Sequence, residues 1–423
     1  MIKSKILKFG YLPRVEGHMS YTVNFKTGDV HVEVLEGVRL FEGFIRGRKF
    51  DEVIYFVSRI CGICPCSHNL CSIKAVEDAF QIQPSEQTIK LRKLINFGEI
   101  IQSHVGHLYF LALPDFLGFK DIFSALKKYP EEVKIALRLR EVANSLIDVV
   151  GGRAVHPVST TINGFRKLPS ETQLKVLLDK LKNVRDDAAK TVELFAKLSI
   201  PDFERNTEYA ALKNEAEYGL YDGYVASSEG LKVEARNYKD TVVEVVKPYS
   251  TAKFSFRNGK PFCVGALARL NINKDQLNDE AKKVMDNVGV KFPSYNPYHY
   301  NIAQAVEVVH CVEESIKIIE DLLSIGLRDE QADVKVKAGV GASVVEAPRG
   351  ILYHKYSIDE DGFIREADIL TPTAQNVANI EEDIRVMLPT LLNLPRKQAT
   401  ARIESLIRAY DPCISCSVHL FED

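Results

Sequence analysis

Arg59-Ile-Cys61-Gly-Ile-Cys64-Pro-Cys66-Ser-His68 lies near the start of the chain, and Asp411-Pro-Cys413-Ile-Ser-Cys416-Ser-Val-His419 lies almost at its end. Each stretch contains a Cys-x-x-Cys pair, which can present two thiolates to one metal. Four thiolates from two such distant segments form one site only if the fold brings the ends of the chain together. The pattern therefore sets a condition on chemistry and on architecture at once.

Working outward, the 423 residues are 46% hydrophobic and 26% charged, with a formal net charge of −2. That is a globular composition with ample material for a large core. Its near-neutral balance gives no support for binding nucleic acid or other polyanions. No apolar run approaches the length of a membrane span. The opening Met1-Ile-Lys-Ser-Lys-Ile-Leu-Lys-Phe-Gly10 has lysines but no apolar core of a signal peptide, so a cytoplasmic location is expected. Eight cysteines are few for a disulfide scaffold of this size.

The hydropathy pattern predicts an α+β protein, with a helix-rich centre and small flanking β regions. Tyr21–Phe25 and Val30–Val34 alternate across Thr27-Gly-Asp29 and read as a β-hairpin. Helical spacing of apolar residues covers about 88–113, 131–150 and 171–198, the last opening on the capping-box pattern Ser170-Glu-Thr-Gln173. A strand is expected at Val242–Val246 and a long helix over about 301–325. Strands and turns follow over 336–371, then helices near 378–393 and 397–409. No linker, repeat or low-complexity tract divides the chain, so one domain is expected over 1–423.

Spacing alone leaves three readings of the cysteines: a structural tetrathiolate zinc site, a four-cysteine iron–sulfur cluster, and a redox metal centre. Zinc ribbons close within a few tens of residues, whereas these pairs are separated by nearly the whole chain. A histidine also follows each pair, His68 and His419, and a redox metal needs donors to its sulfurs whereas a zinc site does not. Cys263 and Cys311 read as small core residues, and Cys66 and Cys71 receive no role.

The sequence as a whole resembles the large, catalytic subunit of nickel–iron hydrogenases. Six ordered motifs carry the resemblance: Arg14-Val-Glu16-Gly-His18, Arg59 to His68, Gly151-Gly-Arg-Ala-Val-His156-Pro157, Glu346-Ala-Pro348-Arg349-Gly350, Pro372-Thr-Ala-Gln-Asn376 and Asp411 to His419. Within the family, Ser415-Cys-Ser-Val-His419 and the short length look most like the cytoplasmic, multi-subunit, NADP-linked or sulfur-reducing (sulfhydrogenase) type.

Heterolytic cleavage of H2 needs a metal that accepts hydride and a base that accepts a proton, and soft thiolates suit nickel and low-valent iron. The resemblance implies a Ni–Fe(CN)2(CO) centre, with Cys61 and Cys413 as terminal nickel ligands and Cys64 and Cys416 bridging nickel and iron. It implies that Arg349 hangs its guanidinium over the open metal position, that Pro348 shapes that pocket, and that His68 donates to the sulfur of Cys64. Glu16 would take a proton from Cys413, so Arg349, Glu16 and Cys413 are the expected catalytic residues. Read without the family, Arg349 is a salt-bridge arginine, His68 a core histidine and Glu16 a surface acid. Glu42, nineteen positions before Cys61, would hold a separate Mg2+ or Fe2+ together with His419 and a backbone carbonyl near Ile369. Ser103 departs from the family, where many relatives carry Asp beside the arginine. Ile63 and Leu111 match positions that narrow the gas channel, and each is also readable as plain core.

No motif binds flavin, nicotinamide or an iron–sulfur cluster, so the electrons are expected to leave through an iron–sulfur small subunit seated on an exposed apolar face. Flavin/NAD(P) and ferredoxin-like subunits would follow it. Maturation proteins would build the centre, and a protease would cut after His419, removing Leu420–Asp423 and leaving a mature chain of 1–419. Three alternatives stand beside this reading. One is an H2-sensing regulatory protein. Another is an F420- or heterodisulfide-reductase-linked hydrogenase subunit. The third, the related quinone-site subunit of respiratory complex I, lacks the four cysteines retained here.

Overall fold

In the computed structural model, residues 6–330 and 334–418 are described. At the N-terminal end the expected hairpin forms from Met19–Asn24 and Val30–Val34, with Val23 opposite Val30. Ile6–Phe9 adds a third antiparallel strand that the alternation did not predict. Its four residues are too short for a period-2 signal to stand out.

The centre is helical, as expected. Helix Glu86–Gly106 begins at Ser85, whose side chain accepts from the Thr88 N–H. It passes without a break into a wider π turn at His107–Ala112. It packs against helices Pro130–Gly151 and Tyr300–Ile325. The predicted 171–198 helix is two helices, Glu171–Asn183 and Arg185–Ala196, broken at Val184, which leaves helical geometry at φ −105°, ψ 5°. The capping box at its start is present, with Gln173 N–H donating to Ser170 Oγ at 3.2 Å and Ser170 N–H donating to Gln173 Oε1 at 2.9 Å.

The second half of the chain places three antiparallel strands, Gly339–Ala347, Gly350–Ile358 and Ile364–Leu370, in sequence order. Strand Val243–Val246 pairs with Lys253–Phe256. Helices Pro372–Leu391 and Arg396–Ala409 then deliver the C-terminal cysteines.

One close approach fixes the site's scaffold. Helix Pro65–Phe80 lies on the face of strand Gly339–Ala347, and a Cβ on Gly341 would stand 2.1 Å from the Ala75 carbonyl oxygen and 2.2 Å from the Ala79 nitrogen. Only glycine lets helix and strand backbones come this near. The Cys64 end of the helix and the Arg349 end of the strand are thereby held in one unit. Gly341→Ala is expected to lower stability by about 3 kcal/mol or more, the upper end of overpacking costs, because backbone rather than a side chain must move. Gly10→Ala, where an added Cβ meets nothing within 4 Å, is the control. Chemical unfolding of both variants checks this.

Candidate metal centre

The first cysteine pair is set by the start of a helix. Cys61 is extended (φ −140°, ψ 143°) after the tight turn Val57–Ile60, and Cys64 is the residue capping helix Pro65–Phe80. Pro65 takes the first helical position, where its missing N–H costs nothing. The freed N–H groups of Cys66 and Ser67 donate to the buried carboxylate of Glu99 at 2.6 and 2.9 Å. Arg39 donates to the Ile60 carbonyl at 2.9 Å, and His156 Nδ1 lies 2.9 Å from the Ser58 carbonyl. The Gly-Gly-Arg-x-x-His-Pro motif thus braces the loop that carries Cys61.

The second pair arrives from the other end of the chain. Cys413 is also extended, and its N–H donates to Thr373 Oγ1 at 3.0 Å, a contact supplied by the Pro-Thr-x-x-Asn motif. The backbone of Glu16 pairs in parallel with Cys413, and Ile414 N–H donates to the Glu16 carbonyl at 3.0 Å. Gly17 stands at φ +85°, and a Cβ there would fall 2.7 Å from Ile414 Cβ.

The four sulfurs meet. Cys61 and Cys413 Sγ are 3.2 Å apart, Cys64 and Cys416 Sγ 3.2 Å, and Cys413 and Cys416 Sγ 3.3 Å. All four lie within 4.8 Å of one another, all are buried, and none is in a disulfide. Metal–thiolate bonds of about 2.3 Å in a tetrahedron place sulfurs about 3.8 Å apart, so these residues fit a thiolate-bound metal. Their protonation is divided, with Cys61 and Cys413 held down and Cys64 and Cys416 pushed up. Thiol hydrogen bonding from Cys416 holds Cys413 below the ordinary thiol value. At Cys61 burial opposes ionisation, but hydrogen bonds from its sulfur neighbours outweigh it and hold the thiol well down. Cys416 is pushed well up by burial and by those same neighbours, because four thiolates cannot share one buried space without a cation.

Around the sulfurs stand the other expected residues. Glu16 Oε2 accepts from Cys413 Sγ at 3.2 Å and from Ser415 N–H at 3.0 Å, while Ser415 Oγ donates to Oε1. Burial and then the Cys413 charge raise this carboxyl to about 7. Arg349 is buried; its Nε donates to the Asp411 carbonyl at 2.5 Å, Nη2 to Asp411 Oδ1 at 2.8 Å and Nη1 to Ser103 Oγ at 3.3 Å. Ser103 therefore keeps a contact with the arginine, and Asp411 carries the charge pairing. His68 is held near pKa 4 by burial and is neutral. Its Nδ1 is 3.0 Å from His354 Nε2. Its Nε2 lies 3.9 Å from Cys416 Sγ, so the sulfur it faces is that of Cys416, where Cys64 was expected. The short helix Ile414–Ser417 brings Cys416 to the imidazole edge.

Glu42 is buried, raised to about 7 by desolvation, and accepts from Ile369 N–H at 2.8 Å. The two residues expected at a second metal do meet, although through the Ile369 amide. His419, their expected companion, lies outside the described residues, as do Leu420–Asp423. Glu42 borders a charged cleft of about 900 Å3 with Lys239, Glu244, Lys253 and Asp368. Ile63 and Leu111 are both half-buried. Ile63 N–H donates to Cys61 Sγ at 3.2 Å, and the Leu111 carbonyl accepts from Arg14 at 2.5 Å. Cys71 contacts Ser343 and Leu352 across the helix–sheet seam, and Cys311 is core; Cys263 Sγ also accepts from Asn379 at 2.7 Å.

A family model described as nickel-dependent hydrogenase matches residues 39–136 and 204–419. The chain belongs to the nickel-dependent hydrogenase family. It is 36% identical over 417 residues to the sulfhydrogenase 1 alpha subunit of Pyrococcus furiosus, covering 97% of both chains. It is 35% identical to a subunit of the F420-non-reducing hydrogenase of Methanothermobacter marburgensis, covering 97% of this chain and 93% of that one. Its structure aligns with that of an NAD+-reducing [NiFe]-hydrogenase in the H2-reduced state at TM-score 0.87 and 27% identity, covering 98% of this chain and all of that one. The nickel–iron–selenium hydrogenase of Desulfomicrobium baculatum, 21% identical with TM-score 0.79, shares the fold. This hydrogenase chain is catalytic, an oxidoreductase acting on H2, and its four-cysteine cluster accords with a nickel–iron centre.

Sequence reasoning missed Asp411 as the partner of Arg349, Thr373 as the anchor of Cys413 and Glu99 as the cap behind Cys64. Asp411 and Thr373 sit inside quoted motifs and Glu99 lies in none, but the role of each depends on a contact far along the chain. Thr373→Val keeps the shape and leaves the buried Cys413 N–H without its acceptor, a cost of about 1–3 kcal/mol. Nickel per folded chain is expected to fall well below that of the parent, and Thr373→Ser is expected to restore it. Metal analysis of gel-filtered protein reads both.

Proposed function

We propose that this hydrogenase chain binds a Ni–Fe(CN)2(CO) centre through Cys61, Cys64, Cys413 and Cys416 and cleaves H2 reversibly to protons and electrons. The observation that carries the proposal is the convergence of four buried sulfurs within 4.8 Å, with a carboxyl and a guanidinium at their edge. When bound, the centre supplies the electron-pair acceptor for H2. Arg349 supplies a fixed positive charge: burial opposes it, but Asp411 and the neighbouring thiolates hold its proton on. Its planar fork, tied by Asp411 and Ser103, keeps that charge at one point beside the sulfurs. A proton released from H2 and taken up at Cys413 Sγ would pass to Glu16 Oε2, 3.2 Å away, and a carboxyl near 7 can take it up and release it at neutral pH. Ser415, bonded to both oxygens, keeps Glu16 aimed at the sulfur.

Glu42, the Ile369 backbone carbonyl and His419 are proposed to hold a second cation, Mg2+ or Fe2+, reached through the charged cleft. Electrons are proposed to pass to a small subunit bearing iron–sulfur clusters, then through flavin-bearing or ferredoxin-like subunits to NAD(P) or sulfur. Two features support a partner: Leu35, Val38, Leu40 and Phe44 lie exposed within one short segment, and the relatives are named as subunits. A cytoplasmic location is proposed from the opening sequence, and no described helix is long and apolar enough to cross a membrane. The mature chain, one domain, is proposed to end at His419.

Enzyme purified with its partners is expected to contain one nickel per chain, CO and CN stretches in the infrared, and a mass ending at His419. Stoichiometric zinc without those bands would exclude the proposal. A second measurement separates proton movement from metal binding. Glu16→Gln keeps the hydrogen bonds but carries no proton near neutral pH. It is expected to retain nickel while losing both H2 oxidation and isotope exchange between H2 and water. A fully metallated Gln variant with normal exchange would remove Glu16 from the proton path.

A further inference from the structure

The Ala347-Pro348-Arg349-Gly350 turn is gripped from outside the thiol cluster by a residue that no motif singled out. Arg269, in helix Ala266–Asn273, is fully buried. Its Nε and Nη2 donate to the two carboxylate oxygens of Glu307 at 2.6 and 2.7 Å. Its Nη1 donates to Glu346 Oε2 at 2.8 Å and to the Ala347 carbonyl at 3.0 Å, and its Nη2 also donates to the Pro348 carbonyl at 3.0 Å. All five donors of the guanidinium are used, two of them on the consecutive carbonyls that lead into Arg349. The carboxylate of Glu307 is in turn fixed by Tyr218 Oη–H at 2.7 Å and faces His104 Nε2 at 2.7 Å. Glu346 accepts from Leu212 N–H at 2.8 Å.

The backbone just before Arg269 grips the same turn. Gly265 stands at φ +110°, and a Cβ there would fall 2.8 Å from the Arg349 carbonyl oxygen. The Gly265 carbonyl accepts from Arg269 N–H at 2.9 Å. Val264, one residue earlier, is clasped at both its N–H and its carbonyl by Asn376, at 2.9 and 3.2 Å. The turn is therefore held between a glycine that admits the Arg349 backbone and a guanidinium that fixes the two carbonyls preceding it.

We propose that Arg269 is a positioning residue for H2 turnover, fixing the Ala347 and Pro348 carbonyls so that the Arg349 guanidinium is placed against Asp411 and the thiol cluster. The inference rests on the proposed role of Arg349. Proline at 348 has no N–H of its own to anchor the turn, so the carbonyls are its available handles. A lysine at 269 keeps the charge but not the fork, and cannot hold two carbonyls and two carboxylates at once. A displacement of about 1 Å at a reacting group can cost on the order of a hundredfold in rate.

The test uses the assembled, metal-loaded enzyme, with turnover expressed per bound nickel so that any unloaded fraction does not enter. Arg269→Lys and Gly265→Ala, which act on the turn from two sides, are each made alone and in an Arg349→Lys background. Each alone is expected to lower kcat for H2 at least tenfold, with KM for H2 changed less than twofold and nickel and infrared band intensity retained. In the Arg349→Lys background each is expected to add less than twofold, because a group that acts through Arg349 has nothing left to place. Equal losses in both backgrounds, near-normal kcat in both single variants, or loss of nickel in step with activity would each overturn the proposal. Near-normal turnover by fully loaded Arg349→Lys would instead overturn the role given to Arg349, and the comparison of single variants separates the two failures.

Discussion

Four cysteine sulfurs lie within 4.8 Å of one another in the buried interior, and the rest of the molecule is arranged around that requirement. Thiolates packed this closely repel, and burial makes their charge costlier still. Such a cluster holds together through backbone anchors that do not depend on the sulfurs themselves. Thr373 holds the Cys413 amide, the Glu16 backbone runs beside Cys413, and Glu99 caps the helix that starts at Cys64. The site is thereby formed by main-chain geometry, and a soft cation resolves the repulsion.

The same interior carries ion pairs that would be expensive if incompletely bonded. Removing one partner of a buried pair leaves an uncompensated charge and costs about 3–5 kcal/mol. Arg349 with Asp411 and Arg269 with Glu307 and Glu346 are tied from several sides. A third set links the chain's two ends: Asp115 pairs with both Arg14 and Arg408, and Arg408 also donates to the Pro13 carbonyl at 3.0 Å. Arg14 and Pro13 immediately precede the Glu16 segment. The network thus sets the register in which Glu16 meets Cys413, connecting a half-buried charge cluster to the carboxyl proposed to take up the Cys413 proton.

Much of the fold was legible in the sequence because its signals are local. Ser170 and Gln173 form their capping box whatever surrounds them, and Val30–Val34 alternates because one face of the hairpin is buried. The break at Val184 was not legible, since apolar spacing continues through it. Within the site, the four cysteines, Glu16 and Arg349 were readable from motifs. Glu307 offered one unread signal: a carboxylate among the apolar residues of helix Tyr300–Ile325 that must find a buried cation. The helix pattern could not say which cation.

The sequence by itself determined the candidates for the site: paired thiolates near both ends, a histidine after each pair, and an arginine in a Pro-Arg-Gly turn. It also determined long helices such as Tyr300–Ile325, because period and capping are written in neighbouring residues, though not the break at Val184. Only the tertiary structure decided that Asp411 is the partner of Arg349, that Cys416 is the sulfur His68 faces, and that Arg269 grips the Arg349 turn. Those contacts join residues 62, 348 and 79 positions apart. At such separations no local periodicity carries information, and the geometry of packed backbones selects the partner.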